Sequence, residues 1–383
     1  MKKLFFEDEE AGDGPQLHAL IIGVDHYPHL GLAGATERGL PLLSNLSSPS
    51  VSARALAHWL VGHKKWLHRM KLGSVNLVAA PVPANGAAAA STRGSLSKIS
   101  VAFDDWFGRC NQNVDNVALF YFCGHGLQKD VLLLLPEDFG ALKHNPWTQM
   151  IDFHATYRGM ANCAARTQYF IVDACREWSE DFVLDLNVRG VALGRSDLRK
   201  QGARLAPALY GAAPGLAALS LKTRAVSRLT SAVIDCLGGK AAVRHNDRWR
   251  VNIERLGQAA KDIVELGNRS LTSDLHQSVD PTIGEFSDQK RTLLILPDDM
   301  HPRTLVEFDC EPNELAQHAK FYHRGIFPKA RRRTRAPCLG PWSVEMPAGT
   351  YEFGATINRP GFPNRDVAPE QFHPPIHPAI VPV

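Results

Sequence analysis

The sequence predicts an α/β fold in which a mostly parallel sheet is covered by helices on both faces, followed by a small β-rich C-terminal domain. Residues 17–23, 116–124 and 168–175 are short, nearly all-apolar runs of strand length, each stopped by glycine or a polar residue. Amphipathic helical stretches alternate with them, the pattern of a sheet buried on both faces. From about residue 289 the texture changes to short strand-like runs punctuated by proline and glycine. Thirteen of the 25 prolines lie beyond residue 300, which argues against a helical module and for β structure.

The elements follow in order. Residues 17–23 read as a buried strand leading into a loop through Tyr27-Pro28. Residues 50–61 have the apolar spacing of a helix, with Ser50 placed to cap it. A strand at 75–78 precedes an alanine-rich linker at 81–90. A second helix starts at Thr92 or Ser95 and turns Leu96, Ile99, Phe103, Trp106 and Phe107 to one side. The run ending at His125, the leucines of 131–135, a helical stretch near 151–164 and the run ending at Cys175 complete the alternation. Residues 176–207 are rich in charge and glycine and read as a flexible loop. A further strand and turn at 209–215 and a helix at 227–237 follow. The expected division is an N-terminal extension at 1–15, a main domain at 16–288, a β-rich regulatory or targeting domain at 289–358 and a proline-rich extended tail at 359–383.

Composition narrows the function classes. A chain of 383 residues with 44% hydrophobic and 21% charged residues is ordinary for a globular protein of about two domains. A net charge of +4 is too small to mark a nucleic-acid binder. The basic run 329–335 reads as a solvated loop, so neither nucleic acid nor a membrane is an expected partner. The N-terminal Met-Lys-Lys-Leu-Phe-Phe turns acidic before any signal-peptide apolar core develops, and no run has the length of a spanning helix. A cytoplasmic location is expected. Seven cysteines without Cys-x-x-Cys pairing fit reduced thiols and no structural zinc.

Chemistry concentrates at two strand ends. His125 closes the first run, in Phe122-Cys-Gly-His125-Gly126, and Cys175 closes the second, in Val172-Asp173-Ala-Cys175-Arg176. A thiolate attacks carbonyl carbon, and an imidazole in reach takes its proton and returns one to the leaving amine. Reactive residues at the carboxyl ends of such strands lie where an open α/β sheet places its site. The glycines flanking His125 admit close backbone approach.

These two motifs, with the histidine 50 residues upstream of the cysteine, resemble the caspase-like cysteine peptidase clan, and its metacaspase-like and bacterial members more than animal caspases. The likeness spans about residues 16–285. It implies a caspase-like sheet, a Cys175–His125 dyad and an oxyanion hole from the N–H groups of Gly126 and Cys175. By the same resemblance Asp173 is the floor of an S1 pocket for arginine or lysine, a pairing suited to a carboxylate out of water, and Glu37 is a second pocket acid. Ala212, Ala213 and Pro214 would line the substrate groove. Ala35 stands where relatives often carry an additional cysteine. The chemistry requires no cofactor and no metal; Glu180, Asp181 and Asp185 are acids at which calcium activation is an open question.

The function expected from this resemblance is a cysteine endopeptidase acting on proteins or peptides after arginine or lysine, in regulated proteolysis such as stress response, cell death or bacterial defence. Arg189, Arg195, Arg199, Lys200 and Arg204 are candidate self-cleavage positions in the 176–207 loop. The C-terminal domain would receive a regulatory protein partner. The rival from a different class is a non-catalytic caspase-like scaffold or adaptor that recruits a partner through that domain; loss of the cysteine or the histidine would mark it, and both are present.

Overall fold

The computed structural model describes residues 4–30, 43–79, 94–128, 130–176, 190–195, 204–213, 225–282, 292–337, 341–362 and 364–383. The chain forms two compact units, one of Met1–Ile234 with Val264–Arg291 and one of Asp235–Ile263 with Thr292–Val383. Residues 235–263 therefore group with the second unit, which a single cut after residue 288 did not anticipate.

In the first unit the described strands are β1 (Phe6–Glu7), β2 (Gln16–Gly23), β3 (Lys71–Ala79), β4 (Val117–Gly124), β5 (Gly126–Gln128), β6 (Leu132–Leu134), β7 (Ile151–Asp152), β8 (Thr167–Ala174) and β9 (Ala208–Tyr210). Two hairpin strands of the other unit, β10 (Ala242–His245) and β11 (Arg248–Asn252), precede β12 (Asp280–Thr282) in the chain. The main sheet has the order β1-β3-β2-β4-β8-β9-β12. The five inner strands are parallel, and β1 and β12 close the edges antiparallel. Strands β4 and β8 are buried along their whole length, as strands covered on both faces must be. The leucines of 131–135, expected to join this alternation, lie instead in a small antiparallel sheet β5-β6-β7.

Alternate side chains of the inner strands enter two different cores. On one face Phe120, Phe122, Phe170 and Val172 pack with Ile99, Phe103 and Trp106 of α2 (Leu96–Cys110) and Phe153 of α3 (Phe153–Gly159). Trp106 buries its indole and still donates Nε1–H to the His18 carbonyl at 2.9 Å, which removes the cost of an unpaired polar group. On the other face α1 (Pro49–Gly62) lies on β2, β3 and β4, burying Ala53, Leu56, Ala57 and Leu60. Helix α4 (Arg228–Asp235) shares that face, since the Ser227 N–H donates to the Ser52 hydroxyl at 2.9 Å. Ser50 is not the cap expected of it. Helix α1 starts one residue earlier, at Pro49, and the Ser50 N–H donates to the Asp25 carboxylate at 2.7 Å, so the first turn is capped from the end of β2.

The 176–207 segment is anchored where it is described. Val191 bridges Ile151 and Leu205 bridges Thr167. Arg204 is only 2% exposed, stacks on Tyr157 and donates to the carbonyls of Tyr157 and the Gln168 side chain. This corrects the reading of one continuous flexible loop.

In the second unit the Asn246-Asp247 turn joins β10 to β11 with φ of 46° and 62°, the left-handed pair a two-residue hairpin requires. Strand β13 (Thr292–Ile295) adds to β11. Helix α5 (Ile253–Asn268), which the sequence reading did not identify, follows β11, with residues 253–263 in this unit and 264–268 in the first. Then come β14 (Arg303–Glu311), β15 (Ala319–Phe327), β16 (Arg333–Arg335), β17 (Trp342–Pro347), β18 (Gly349–Ile357), β19 (Arg365–Phe372) and β20 (Ile376–Pro382). Sheets β17-β14-β20 and β16-β15-β18-β19 close over Phe308, Phe321, Tyr351, Phe353 and Phe372. The segment expected to be a proline-rich tail is thus part of a sandwich. Its prolines are compatible with strand because β19 and β20 are edge strands.

Buried His18 gives the first unit an acid sensitivity. Its Nδ1 lies 2.9 Å from the Ser74 hydroxyl, and desolvation lowers its pKa from 6.5 to about 4. Unfolding exposes the ring, so below pH 6.5 the unfolded chain binds a proton that the fold refuses, and stability falls as pH drops toward 4. His18→Gln should remove about 2 kcal/mol of the stability lost between pH 7 and pH 5, measured by urea unfolding at both pH values. An unchanged difference refutes this assignment.

Candidate active site

Strands β4 and β8 run in parallel register from Val117↔Thr167 to Gly124↔Ala174. His125 and Cys175 are each the next residue, so the ladder delivers both to the same edge of the sheet on strands about 4.8 Å apart. The sheet order departs from β2 in both directions, to β3 on one side and β4 on the other. The pair therefore stands beside the switch in strand order, at the carboxyl ends.

His125 is 7% exposed. Its Nε2 lies 2.7 Å from the Ser44 carbonyl oxygen. A carbonyl only accepts, so Nε2 carries the hydrogen and Nδ1 is the basic nitrogen. Burial lowers the imidazole pKa below its usual 6.5, with the Ser44 carbonyl pulling the other way; the ring is neutral near pH 7. Sequence reasoning had no means of finding Ser44, because its contribution is a backbone carbonyl 81 residues away.

The two glycines flanking His125 are required by contact. A Cβ on Gly124 would fall 2.8 Å from the Tyr27 hydroxyl, and one on Gly126 would fall 2.6 Å from the Cys175 carbonyl oxygen. The Leu135 N–H donates to the His125 carbonyl at 3.0 Å, and Gly126 pairs with Leu134. Gly126 thus occupies a non-hydrogen-bonded position of the β5–β6 ladder, which turns its N–H away from β6. Cys175 is half-buried and, like the other described cysteines, is not in a disulfide.

Asp173 lies inside the sheet–helix layer at 4% exposure. Its Oδ2 accepts from the Ser227 hydroxyl and, at 2.7 Å, from the Thr230 hydroxyl. Tyr121 lies 2.6 Å from that same Thr230 oxygen, and because Thr230 gives its proton to Asp173, Tyr121 is the donor. Burial raises the Asp173 pKa above the usual carboxylate range, and these hydroxyls pull it back. Its Oδ1 faces Gly211, where a Cβ would stand 2.9 Å away.

Arg176, which the sequence reading took as the start of a loop, is buried and bound. Its Nη1 is 2.9 Å from the Asp280 carboxylate on β12, its Nε donates to Gln128 Oε1 at 3.2 Å, and its guanidinium lies 4.6 Å over the Tyr210 ring. The residue after the candidate nucleophile therefore ties β5, β9 and β12 together. Ala212 is buried and Ala213 half-buried just beyond β9. Arg195 is exposed. Arg204 is withdrawn as a cleavage candidate, since its buried guanidinium is not presented to any second site. Ala35, Glu37, Glu180, Asp181, Asp185, Arg189, Arg199, Lys200 and Pro214 lie outside the described residues. Among the described residues no cluster of three or more metal-ligating side chains occurs, and no helix is long and apolar enough to cross a membrane.

A helix-covered sheet with five parallel inner strands, and with a cysteine and a histidine next after two neighbouring strands, is a caspase-like frame. The chain belongs to the caspase domain family, whose model matches residues 16–248. It is 23% identical to the uncharacterized protein y4kE of Sinorhizobium fredii (strain NBRC 101917 / NGR234), over 77% of this chain and 85% of that one. It is also similar to the crystal structure of Caspase-1 from Spodoptera frugiperda, at 15% identity and a TM-score of 0.43, covering 76% of this chain and 96% of the other.

The approach of Gly126 to Cys175 is backbone against a would-be side chain, so neither can swing aside. Gly126→Ala is expected to cost about 1–3 kcal/mol of stability and to slow alkylation of Cys175. Parent-like thermal unfolding together with parent-like alkylation would show the approach to be looser than the geometry demands.

Proposed function

We propose that this protein is a cysteine endopeptidase in which Cys175 is the nucleophile and His125 the general base and acid. The observation that carries the reading is the shared register of β4 and β8, which brings the two residues to one edge with the imidazole already in the Nε2–H form. His125 Nδ1 takes the Cys175 proton, and the thiolate attacks the scissile carbonyl carbon. Negative charge develops on the carbonyl oxygen, and the N–H groups of Gly126 and Cys175 stabilise it. The imidazolium then protonates the leaving amine as the C–N bond breaks, leaving a thioester on Cys175. Water, deprotonated by His125, attacks the thioester and releases the acid.

Cleavage follows arginine or lysine. Asp173 supplies the counter-charge, its Oδ1 turned toward the side-chain-free Gly211, and Glu37 adds a second acid. Substrate lies along Ala212, Ala213 and Pro214. The enzyme acts in the cytoplasm. The β-rich second unit receives a regulatory protein partner, in stress, cell death or defence. Arg189, Arg195, Arg199 and Lys200 remain the self-cleavage candidates, and calcium activation at Glu180, Asp181 and Asp185 remains a proposal.

Cys175→Ala and His125→Ala should each reduce hydrolysis of fluorogenic peptides by roughly 10³-fold or more, because the pair acts as a unit. Turnover that survives either change, in protein free of contaminating protease, refutes the dyad. A panel differing only at P1, run with and without calcium, tests specificity: equal rates on P1 aspartate and P1 arginine reverse the role of Asp173. Self-cleavage is read by intact mass, which should show two fragments of active enzyme and one whole chain of Cys175→Ala. An enzyme that turns over substrate with its chain uncut removes self-cleavage and leaves the dyad standing.

A further inference from the structure

Where the β5–β6 ladder would continue, at His125 just before β5 and Leu135 just after β6, the antiparallel pairing is missing a bond. Leu135 donates its N–H to the His125 carbonyl at 3.0 Å. In a hydrogen-bonded antiparallel pair the reciprocal bond, from the His125 N–H to the Leu135 carbonyl, would complete the ring. Here a tyrosine hydroxyl takes its place. The His125 N–H donates to Tyr27 Oη at 2.8 Å, and Tyr27 Oη–H donates to the Leu135 carbonyl at 3.4 Å. The hydroxyl is a wedge that holds the two strands apart at the residue carrying the imidazole.

The same tyrosine restrains the imidazole itself. Its ring lies 4.7 Å from the His125 ring, tilted by 49°. Tyr27 is 1% exposed, and burial raises its pKa well above 10, so the hydroxyl stays neutral and serves as both acceptor and donor. Gly124 has no side chain where a Cβ would strike this hydroxyl. The tyrosine is fixed in turn by the segment that sets the tautomer. Its N–H donates to Asn45 Oδ1 at 2.8 Å, one residue from the Ser44 carbonyl that receives His125 Nε2–H, and the Leu46 N–H donates to the Asp25 carbonyl at 2.8 Å. Main chain, ring face and tautomer of His125 are thus set from one pair of cross-linked loops.

We propose that Tyr27 is a positioning residue for His125, and that Asn45 locks it to the Ser44 carbonyl so that Nδ1 is held toward Cys175. The proposal rests on the reading of His125 as the general base. Removing the hydroxyl lets the His125 N–H and the Leu135 carbonyl close on each other directly, which draws the main chain of His125 toward β6 and its ring away from the thiol.

The test compares the full chain with Tyr27→Phe, which keeps the ring, and with Asn45→Ala and Asn45→Asp, the last retaining an acceptor oxygen for the Tyr27 N–H. On the best peptide of the P1 panel, Tyr27→Phe is expected to lower kcat roughly 10- to 100-fold, the scale of a small misplacement, with KM within about twofold. Asn45→Ala should shift kcat in the same direction and Asn45→Asp restore it. The pH profile of Cys175 alkylation by iodoacetamide should change in Tyr27→Phe and Asn45→Ala and return in Asn45→Asp. Histidine ring ¹⁵N spectra, with the His125 signals assigned through His125→Gln, should show one Nε2–H tautomer in the parent and a mixture in Tyr27→Phe. Should Tyr27→Phe fail to fold, the Asn45 pair carries the same readouts. A parent-like tautomer and pH profile in Tyr27→Phe, or in Asn45→Ala if only that variant folds, overturns the proposal even where activity falls, because that pattern is a structural loss alone. A parent that cleaves no peptide refutes the peptidase reading, and the ¹⁵N comparison then still decides whether Tyr27 positions the ring.

Discussion

The backbone ladder between β4 and β8 is the constraint on which the rest of the first unit depends. Eight consecutive residue pairs run from Val117↔Thr167 to Gly124↔Ala174, and a slip of one residue would send every side chain to the opposite face. What prevents the slip is apolar. Phe120 and Phe170 are register partners with ring centroids 6.0 Å apart, and both meet Phe153 of α3. The opposite face is held by polar groups, through Tyr121, Thr230 and Asp173. Chemistry at the strand ends is thereby inherited from packing in the strand middles. Neither His125 nor Cys175 has to be placed by its own contacts, only oriented.

Orientation is where backbone groups take over. The Ser44 carbonyl sets which imidazole nitrogen is basic, and the Gly126 N–H is free of the β5–β6 ladder because of where the hydrogen-bonded pairs fall. Such groups are insensitive to side-chain identity, so the geometry depends on the loops being held. Those loops are held by side chains of ordinary type: Asp25 on the first turn of α1, Asn45 on Tyr27, Arg176 on Asp280.

The sequence made the strands that carry the site legible because they are uniformly apolar and end in glycine or a reactive residue. The position of His125 and Cys175 just past the ends of two apolar strands was readable from the two motifs. What could not be read depends on sequence-distant partners. Asp280 lies 104 residues from Arg176, and no local pattern announces that an arginine in a charged stretch is buried. Arg204 misled for the same reason, since a basic residue beside a glycine-rich segment has the composition of a loop. The C-terminal segment misled through proline, which reads as a strand breaker until the strand is known to be at an edge. The Asn246-Asp247 turn was locally visible, because asparagine and aspartate tolerate the positive φ that both residues adopt.

The position of those C-terminal prolines has a further effect. Along β20 the parallel bonds to β14 begin with the Leu305 N–H on the Pro375 carbonyl and end with the Val383 N–H on the Glu311 carbonyl. Odd-numbered residues from 375 to 383 therefore face β14, and Ile376, Pro378, Ile380 and Pro382 face outward. Two of those four positions have no N–H to offer. A strand arriving from another molecule would find a donor only at every second outward position, too sparse a template for a continuous ladder. The exposed Ile380 is thus apolar surface beside an edge that offers few donors to a docking strand, and the proline content that first suggested an extended tail is what thins that edge.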